Sequence, residues 1–408
     1  IAGHNSRFYG KGHIGKYQHM YNMQSQFFDQ MIFAWRMSGD GAMGKILYKA
    51  LKLHTRWQDE CFDPDNDGLY ESYINSWPTD SVWYNGGGSC EETCYAYRSH
   101  LAAMELAVKY GDTEEFDFHK KILERIKKGF FEKLWLKSEG YPAMVREKGF
   151  YERLHKSAWL YNCFLPVDVG ITDALQSATC LWYSKWGLEN VKQELGGRMV
   201  WMSNWVPSIW SVRKMTSGEN LQLSYAFFKA GFADEGYDLL LGASLSGAYN
   251  EEIPAHTCSE GASLLARAVI CGLHGYEPDY PNKSVKISPH YPEKWECARI
   301  NTSYFRARYK RQKNRIEYAF ELADPADVTL NIQLPVCETV SVVGTEEYVI
   351  SPGFSSITVS CHFDNTARRE ITVDFYNVSI EKTEITVNAI PGQEVLIPIK
   401  NAVSLIDT

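Results

Sequence analysis

The chain has 408 residues, of which 45% are apolar and 23% are charged, and its formal net charge at pH 7 is −8. This balance is typical of a folded protein and excludes the disordered, collagen-like and coiled-coil classes. The acidic charge argues against a nucleic-acid-binding protein, which needs a basic surface to neutralise phosphates. No apolar run reaches the ~18 residues of a membrane-spanning helix. The length predicts two domains.

Two features of the whole chain bear on its origin. The chain begins at Ile1 and shows no charged-then-apolar leader, which predicts a processed chain or a fragment of a longer one. We also predict a secreted or periplasmic location. Of the ten cysteines, only Cys90 and Cys94 lie close together, at a spacing that fits neither a zinc site nor a redox motif. We expect both to be small buried groups on one helix face.

Helical spacing of apolar residues dominates the first 283 residues. In chain order it predicts helices over 20–37, 42–57, 91–110, 114–134, 168–186, 217–231, 234–241 and 259–273. Thr113 and Ser217 are the predicted N-caps of two of these helices. Tight Gly-Asp connections between successive helices are typical of αα-hairpins.

The hairpins lead to a prediction of the fold class. We predict a mainly α toroid of αα-hairpins over residues 1–283, followed by an all-β sandwich over residues 284–408. A toroid of six hairpins needs twelve helices, and the predicted eight or nine fall short of that number. We therefore expect the toroid to be incomplete at its N-terminus.

Alternation of apolar and polar residues replaces the helical spacing after residue 284. Residues 316–322 alternate, residues 328–334 alternate again, and Asp324-Pro325-Ala326-Asp327 lies between them. Period two over successive segments predicts antiparallel strands with one buried face, joined here by a turn at 324–327. Similar alternation predicts further strands of the sandwich over 355–361, 370–375, 384–389 and 394–399.

An acidic loop, residues 63–71, follows the second predicted helix. Acidic residues occupy its positions 1, 3, 5 and 9, namely Asp63, Asp65, Asp67 and Glu71. Alternate carboxylates in a tight loop converge on one point and supply the hard oxygen ligands that Ca²⁺ prefers. The loop is not an EF-hand, because its position 12 is Ile74. The competing interpretation is an acidic turn whose side chains cap the next element.

A Gly-rich aromatic segment comes next and leads into the predicted helix 91–110. It places Asp80 among three aromatic residues, Trp77, Trp83 and Tyr84. Apolar surroundings raise the pKa of a carboxyl group, as a general acid requires. The competing interpretation is that Asp80 is a helix N-cap. Glu91 and Glu92, in the first turn of the helix, suit the helix dipole without any function.

Tryptophans are concentrated in a later segment that precedes a helix. Trp201, Trp205 and Trp210 fall within ten residues. Aromatic faces of this kind stack against sugar rings, and they also fill cores between helices. Both interpretations stay open on the sequence alone.

A polar, Pro-containing segment, residues 249–260, precedes the last predicted helix. It carries Glu251, Glu252 and His256. A carboxylate here is a candidate catalytic base that faces Asp80 across a cleft. The competing interpretation is a solvated acidic loop.

Residues 63–106 resemble the central region of the six-hairpin glycoside hydrolases. The similarity is to the glucosylceramidase-type enzymes of family 116 and to the glucosidase-type family 63. It covers Asp40, the acidic loop, Asp80 after a nine-residue step, Trp83 and the Gly-rich entry to a helix. In family 116 a similar loop continues to a Tyr-Asp-x-Trp motif whose Asp is the acid/base, and Asp80 matches this Asp. In family 63 ligands at the same spacing hold calcium, which implies a structural Ca²⁺ at Asp63, Asp65, Asp67, Leu69 and Glu71.

The later region resembles family 63 more than family 116. Residues 204–210 are similar to an Arg-Gly-Pro-x-Trp segment of that family. Residues 249–254 are similar to a Glu-Asn-Tyr-x-Pro segment whose Glu is the base. Because the Glu-to-Pro spacing differs, Glu251 and Glu252 are both candidates for this role.

The resemblance and the residues together predict an inverting glycoside hydrolase. Asp80 would protonate the glycosidic oxygen, and Glu252 or Glu251 would activate water on the opposite face, with carboxyl groups roughly 6.5–9.5 Å apart. The predicted substrate-binding residues are Trp77, Trp83, Tyr84, Trp205, Trp210 and His256. Calcium would stiffen the loop that carries Asp80. We expect a carbohydrate substrate, and an upstream part of the same polypeptide packed on this chain.

Two other functions stay open at this stage. A polysaccharide lyase also pairs a helical toroid with a β-sandwich, and its proton-abstracting and charge-neutralising residues would be sought among Tyr249, His256 and Arg213. The net charge of −8 is a poor fit for a polyanionic substrate. The non-enzymatic alternative is a glycan-binding fragment of a larger enzyme.

Overall fold

The computed structural model describes residues 22–71, 87–148, 151–157, 159–204, 216–246, 258–353 and 356–377. Within these ranges the helices are α1 (Asn22–Ser38), α2 (Gly41–Phe62), α3 (Cys90–Tyr110), α4 (Thr113–Gly129), α5 (Leu160–Val169), α6 (Ala174–Trp186), α7 (Ser217–Lys229), α8 (Ala233–Ser246) and α9 (Cys258–Arg267). None of these described helices combines the length and apolar character that a bilayer span requires. π-Helical turns follow α4 (Phe130–Leu134) and α9 (Ala268–Leu273).

Tight connections join the helices in pairs. Two residues separate α1 from α2 and α3 from α4, and three to four residues separate α5 from α6 and α7 from α8. Asp40 caps α2 by accepting hydrogen bonds from the N–H groups of Ala42 and Met43. Gly111, at φ +70°, ends α3 in the left-handed conformation that favours glycine. These connections confirm the predicted hairpins, whereas a closed six-hairpin toroid stays a prediction.

The helix predicted over 168–186 is wrong: the structure has two helices there. Gly170, at φ +75°, ends α5, and Asp173 starts α6 through a capping box with Gln176. Every residue of α5 is buried, so the segment shows no polar face and no helical period. The predicted N-caps are also wrong by one residue, since Thr113 and Ser217 are the first helical residues and Asp112 and Thr216 precede them.

The strands fall into three short pairs and one large sheet. The short pairs are β1 (Gly88–Ser89) with β4 (Val145–Arg146), β2 (Trp135–Leu136) with β3 (Tyr141–Pro142), and β5 (Asn190–Lys192) with β6 (Arg198–Val200). The large sheet contains β7 (Tyr276–Asp279), β8 (Ser284–Ile287), β9 (Cys297–Asn301), β10 (Phe305–Gln312), β11 (Arg315–Pro335), β12 (Cys337–Val343), β13 (Tyr348–Pro352) and β14 (Ser356–Asn377). Its strand order is β12-β14-β11-β10-β9, with β13 on β14 and β8 on β11 and β7.

Two long bent strands organise this sheet. β11 and β14 pair antiparallel over both of their halves, and the register shifts between Glu321 and Val328. The first half of β11 also pairs antiparallel with β10, and the second half pairs parallel with β8. The turn predicted at 324–327 is therefore wrong: an irregularity bends one continuous strand there. The separate strands predicted over 355–361 and 370–375 are likewise the two halves of β14.

The helical part and the sheet share a core. One cluster of buried residues lies among the helices and the short segments that connect them, and includes Phe62, Phe130, Trp159 and Phe164. A second cluster joins α7 and the π-helical turn after α9 to the sheet, and includes Phe228, Tyr276, Phe305 and Tyr318. The domain division at residue 284 and the sandwich stay predictions, and the strands predicted over 384–389 and 394–399 lie outside the described residues.

Candidate active site

The predicted catalytic and sugar-binding residues lie in three segments outside the described residues. These segments are 72–86, with Trp77, Asp80, Trp83 and Tyr84; 205–215, with Trp205 and Trp210; and 247–257, with Glu251, Glu252 and His256. The roles assigned to these residues stay predictions. The residues on either side of each segment are described.

Each of the three segments leads into the first turn of a helix, at α3, α7 and α9 respectively. Three carboxylates in the first turns of α3 and α7 are buried: Glu91 is 1% exposed, Glu92 0% and Glu219 5%. Ser89 caps α3 and accepts a hydrogen bond from the N–H of Glu92 (3.2 Å). Helix N-termini carry partial positive charge, which favours carboxylates in this position.

The first turns of α3, α5 and α7 meet. The N–H of Cys90 donates to the carbonyl of Met144 (3.0 Å), and the Asn162 side chain donates to the adjacent carbonyl of Ala143 (3.0 Å). The first turns of α3 and α5 are therefore both hydrogen-bonded to the backbone of residues 143–144. The Tyr161 hydroxyl donates to Glu219 (3.4 Å), which joins α5 to α7.

An aromatic pair lies beside this meeting point. The rings of Trp159 and Tyr161 stack at 4.5 Å with an interplanar angle of 20°. Both rings are buried, Trp159 with 2% and Tyr161 with 3% of its surface exposed, so the pair belongs to the core that packs around the buried carboxylates. The sequence does not predict the burial of Glu91, Glu92 and Glu219, because an acidic residue in the first turn of a helix has an ordinary explanation in the helix dipole.

A buried ion network lies deeper among the same helices. Arg98 of α3 pairs with Asp29 of α1 (2.9 Å) and with Asp168 of α5 (3.0 Å). Arg267 of α9 also pairs with Asp168 (2.9 Å), and Lys229 of α7 donates to the Asp168 carbonyl (2.7 Å). Five helices, each the first of its hairpin or the last in the helical part, therefore contribute one charged residue each to this network.

The network keeps Asp168 ionised. Burial alone would raise the pKa of Asp168, but Arg267, Arg98 and Lys229 outweigh burial and lower it. Burial raises the pKa of Asp29, against the effect of Arg98. A cavity of about 160 Å³ borders these residues. Asp168 lies seven positions after Tyr161 in α5, so the network lies about 10 Å further along the helix than the first-turn carboxylates.

The acidic loop 63–71 has the compact shape that its spacing predicts. Oδ1 of Asp63 accepts hydrogen bonds from the N–H groups of Asp67 (2.9 Å) and Gly68 (3.2 Å). Oxygen atoms of Asp63, Asp65 and Asp67 all lie within 4.8 Å of one another. Gly68 has φ +83°, and a Cβ there would lie 2.3 Å from the carbonyl oxygen of Arg125. The loop is therefore pressed against α4.

Cationic side chains meet each carboxylate of this loop. Arg125 pairs with Asp63 (2.8 Å), Lys133 with Asp67 (2.9 Å), and Lys148 with Asp65 (3.3 Å) and Glu71. Burial raises the pKa of the Asp63 carboxyl to about 7, whereas Arg125 acts in the opposite direction. A calcium ion at Asp63, Asp65, Asp67, Leu69 and Glu71 stays a prediction, and in this arrangement the oxygens that it needs already face lysine and arginine.

The acidic loop also pairs with the residues that follow segment 72–86. Glu71 and Gly88 are antiparallel bridge partners, and the N–H of Ser89 donates to the carbonyl of Tyr70 (2.9 Å). Gly88 and Ser89 form β1, which pairs with β4 two residues before Lys148. The segment that carries Asp80 therefore leaves and re-enters the described structure at one place.

Comparisons with known proteins identify the fold. The structure matches an α-L-rhamnosidase from Dictyoglumus thermophilum (TM-score 0.53, 10% identity, 86% of this chain and 39% of that chain). It also matches the Streptomyces avermitilis α-L-rhamnosidase complexed with L-rhamnose (0.50, 12%, 82% and 31%) and a GH78 family rhamnosidase of Bacillus sp. GL1 (0.50, 12%, 74% and 31%). The chain has the fold of these glycosidases.

This chain corresponds to only part of each matched enzyme. The chain spans about a third of the length of these solved structures. No protein-family model and no curated protein matches its sequence. The predicted resemblance to six-hairpin glycoside hydrolases is confirmed at the level of the fold, and the three matches given above are rhamnosidases.

Proposed function

We propose that this chain is part of a glycoside hydrolase that cleaves a glycosidic bond by acid/base catalysis with inversion. Asp80 is the proposed acid, and Glu252 or Glu251 is the proposed base. Trp77, Trp83, Tyr84, Trp205, Trp210 and His256 are the proposed sugar-binding residues. A secreted or periplasmic location, and an upstream part of the polypeptide that packs on this chain, belong to the same proposal.

The packing of the helices that follow the three segments supports this proposal. The segments that hold the proposed acid and the proposed tryptophans enter helices whose first turns are joined through Met144, Asn162, Tyr161 and Glu219. The segment that holds the proposed base enters α9, which packs against α7. The three helices that follow these segments are thus packed together in the described part of the chain, which supports a common cleft with opposed carboxylates.

The fold comparisons suggest where to begin with substrates. The matched enzymes are α-L-rhamnosidases, and one of them is complexed with L-rhamnose. We propose a terminal sugar of an oligosaccharide or glycoside as the substrate, with α-L-rhamnosides as the first class to assay.

The test is turnover of aryl glycosides by the longest natural polypeptide that contains this chain, with product anomers followed by proton NMR. Inversion predicts that the first-formed sugar has the opposite anomeric configuration to the substrate. Asp80→Asn and the base variant (Glu252→Gln or Glu251→Gln) should each lower kcat by about 10²–10⁴-fold, the usual contribution of one acid or base.

Matched controls use exposed carboxylates on α4. Asp117→Asn and Glu124→Gln make the same chemical changes on the surface of the helical part and should leave kcat unchanged. Full turnover by Asp80→Asn would contradict the proposed acid. Tight sugar binding without turnover would favour a glycan-binding module instead, and a product that absorbs as an unsaturated uronide would favour a lyase.

A further inference from the structure

Arginine and lysine side chains surround the acidic loop, residues 63–71. We propose that the ammonium group of Lys148, with Arg125 and Lys133, takes the place that a divalent cation holds in loops of this spacing. The loop 63–71 is then neutralised by the protein itself, and its shape does not depend on metal. The proposal concerns stability and holds whether or not the chain is a glycosidase.

The assignment of individual oxygens supports this. Oδ1 of Asp63 and Oδ1 of Asp67 accept hydrogen bonds from backbone N–H groups inside the loop. Their other oxygens, the Oδ2 atoms, face Arg125 at 2.8 Å and Lys133 at 2.9 Å. A calcium ion requires six to eight oxygen ligands at 2.3–2.6 Å. To supply them, both carboxylates would have to exchange a charged partner for the ion.

Lys148 completes the set from the outer side of the loop. Its Nζ contacts Glu71 and lies 3.3 Å from Oδ2 of Asp65. One ammonium group thereby joins positions 3 and 9 of the loop, the positions that a shared metal ion would otherwise bring together. The Lys148 side chain is 39% exposed, so this cation position is open to solvent.

Cations surround the loop on several sides, and Arg125 also lies 4.0 Å from Asp59. Four carboxylates, Asp63, Asp65, Asp67 and Glu71, face Arg125, Lys133 and Lys148. Arg146, which also pairs with Glu152, lies 3.7 Å from Asp67. A divalent ion added between these groups would lie a few ångströms from two ammonium groups, and like charges at such distances repel. The described arrangement therefore favours a metal-free loop.

Lys148 has a further consequence for segment 72–86. Glu71, which it contacts, is the bridge partner of Gly88, and Lys148 itself follows β4, the partner of β1. The ammonium group therefore ties the point where the chain leaves for Asp80 to the strand beside which it returns. In this chain a lysine, in place of a metal ion, is the positioning residue for the two backbone stretches that flank residues 72–86.

The test measures thermal unfolding by circular dichroism in EDTA and in millimolar CaCl₂. The wild-type chain should have the same Tm in both. Lys148→Ala should lower Tm in EDTA, and CaCl₂ should restore part of the loss, because Asp65 and Glu71 would then face an open cation position. Lys128→Ala, which removes an exposed lysine from α4, is the matched control and should change neither Tm nor the response to calcium.

Three results would overturn the proposal. A wild-type Tm that falls in EDTA would mean that a bound divalent cation already stabilises the loop. A Lys148→Ala variant with the wild-type Tm in EDTA, or a destabilised variant that calcium does not stabilise, would mean that the ammonium group does not hold the cation position. If the variant does not fold, the wild-type comparison still decides, because a metal-free loop must be insensitive to EDTA.

Discussion

The guanidinium group of Arg98 lies 3.0 Å from the carboxylate of Asp168, in the buried region where five helices meet. The same guanidinium pairs with Asp29 of α1 at 2.9 Å. Arg98 thus joins the first described helix to the middle of the helical part. Removing one partner of a buried ion pair leaves an uncompensated buried charge, which is far more costly than losing a surface pair.

Arg98→Met should therefore lower the free energy of unfolding by about 3–5 kcal/mol. Arg306→Met, which removes an exposed partner of Glu321 (3.6 Å), should cost less than about 1 kcal/mol. Urea unfolding followed by tryptophan fluorescence measures both losses. Equal losses in the two variants would show that the network contributes no more than a surface ion pair.

Gly275, which lies between the helical part and β7, allows a test of close backbone packing. Its φ is +65°, and a Cβ there would lie 1.8 Å from the carbonyl oxygen of Ser288. Gly170 has φ +75° and no atom within 4 Å of the same position. Gly170→Ala should cost only the left-handed strain of about 1–2 kcal/mol, and Gly275→Ala should cost clearly more. Calorimetric Tm values compare them, and similar shifts would contradict the close contact at Ser288.

His54 should make stability depend on pH. Burial, with His100 adding to the effect, lowers its pKa to about 3; its ring bonds to Gln24 (3.0 Å) and stacks on Phe28 (4.1 Å). The unfolded chain binds a proton near pH 6.5, and the folded chain does so only near pH 3. The contribution of His54 is therefore complete above pH 6.5 and is lost as the pH falls from 6.5 towards 3, by about 1.4 kcal/mol per pH unit.

His54→Phe retains an aromatic ring against Phe28 and removes the titrating group. The slope of unfolding free energy against pH between 6 and 4 should decrease by about 1.4 kcal/mol per unit, whereas the curves should run parallel above pH 7. Chemical denaturation at a series of pH values provides the slopes. An unchanged slope between pH 6 and 4 would mean that His54 is protonated in the folded chain.

Thiol reactivity should follow burial. Cys297 is exposed, whereas Cys180 is fully buried and donates to the carbonyl of Asn162 (2.8 Å). Under native conditions, the fast phase of labelling by an aromatic disulfide reagent should therefore lose one equivalent in Cys297→Ser and none in Cys180→Ser. Absorbance of the released thiolate counts the equivalents. A fast phase that keeps its size in Cys297→Ser would contradict the exposure of Cys297.

Local signals in the sequence predict the regular elements well where one face is buried and the other is solvated. The helix predicted over 91–110 corresponds to α3, and the alternating residues 316–322 form half of β11. Prediction fails where the sequence pattern is absent or fits two different structures. The fully buried α5 has no polar face to show its period, and Asp324-Pro325 is compatible with both a turn and a bent strand. Only pairing with β14 decides the latter.

The acidic loop shows the same limit at the level of a site. The convergence of Asp63, Asp65 and Asp67 follows from their spacing in the sequence and is found in the structure. Their partners Arg125, Lys133 and Lys148 lie about 60–80 residues away in the chain. No local pattern indicates that these cations reach the loop. The sequence therefore predicts where negative charge gathers, and the fold determines what neutralises it.

Because Glu71 pairs with Gly88 through the backbone, the connection between these two stretches does not depend on the sequence or length of segment 72–86. The residues that flank segment 72–86 are joined by main-chain atoms, whatever side chains lie between them. Lengthening such a segment costs little, since each doubling of a loop adds only about 0.6 kcal/mol of closure entropy. Duplication, insertion or recombination within it can therefore change its length and sequence while the pairing of the residues on either side persists.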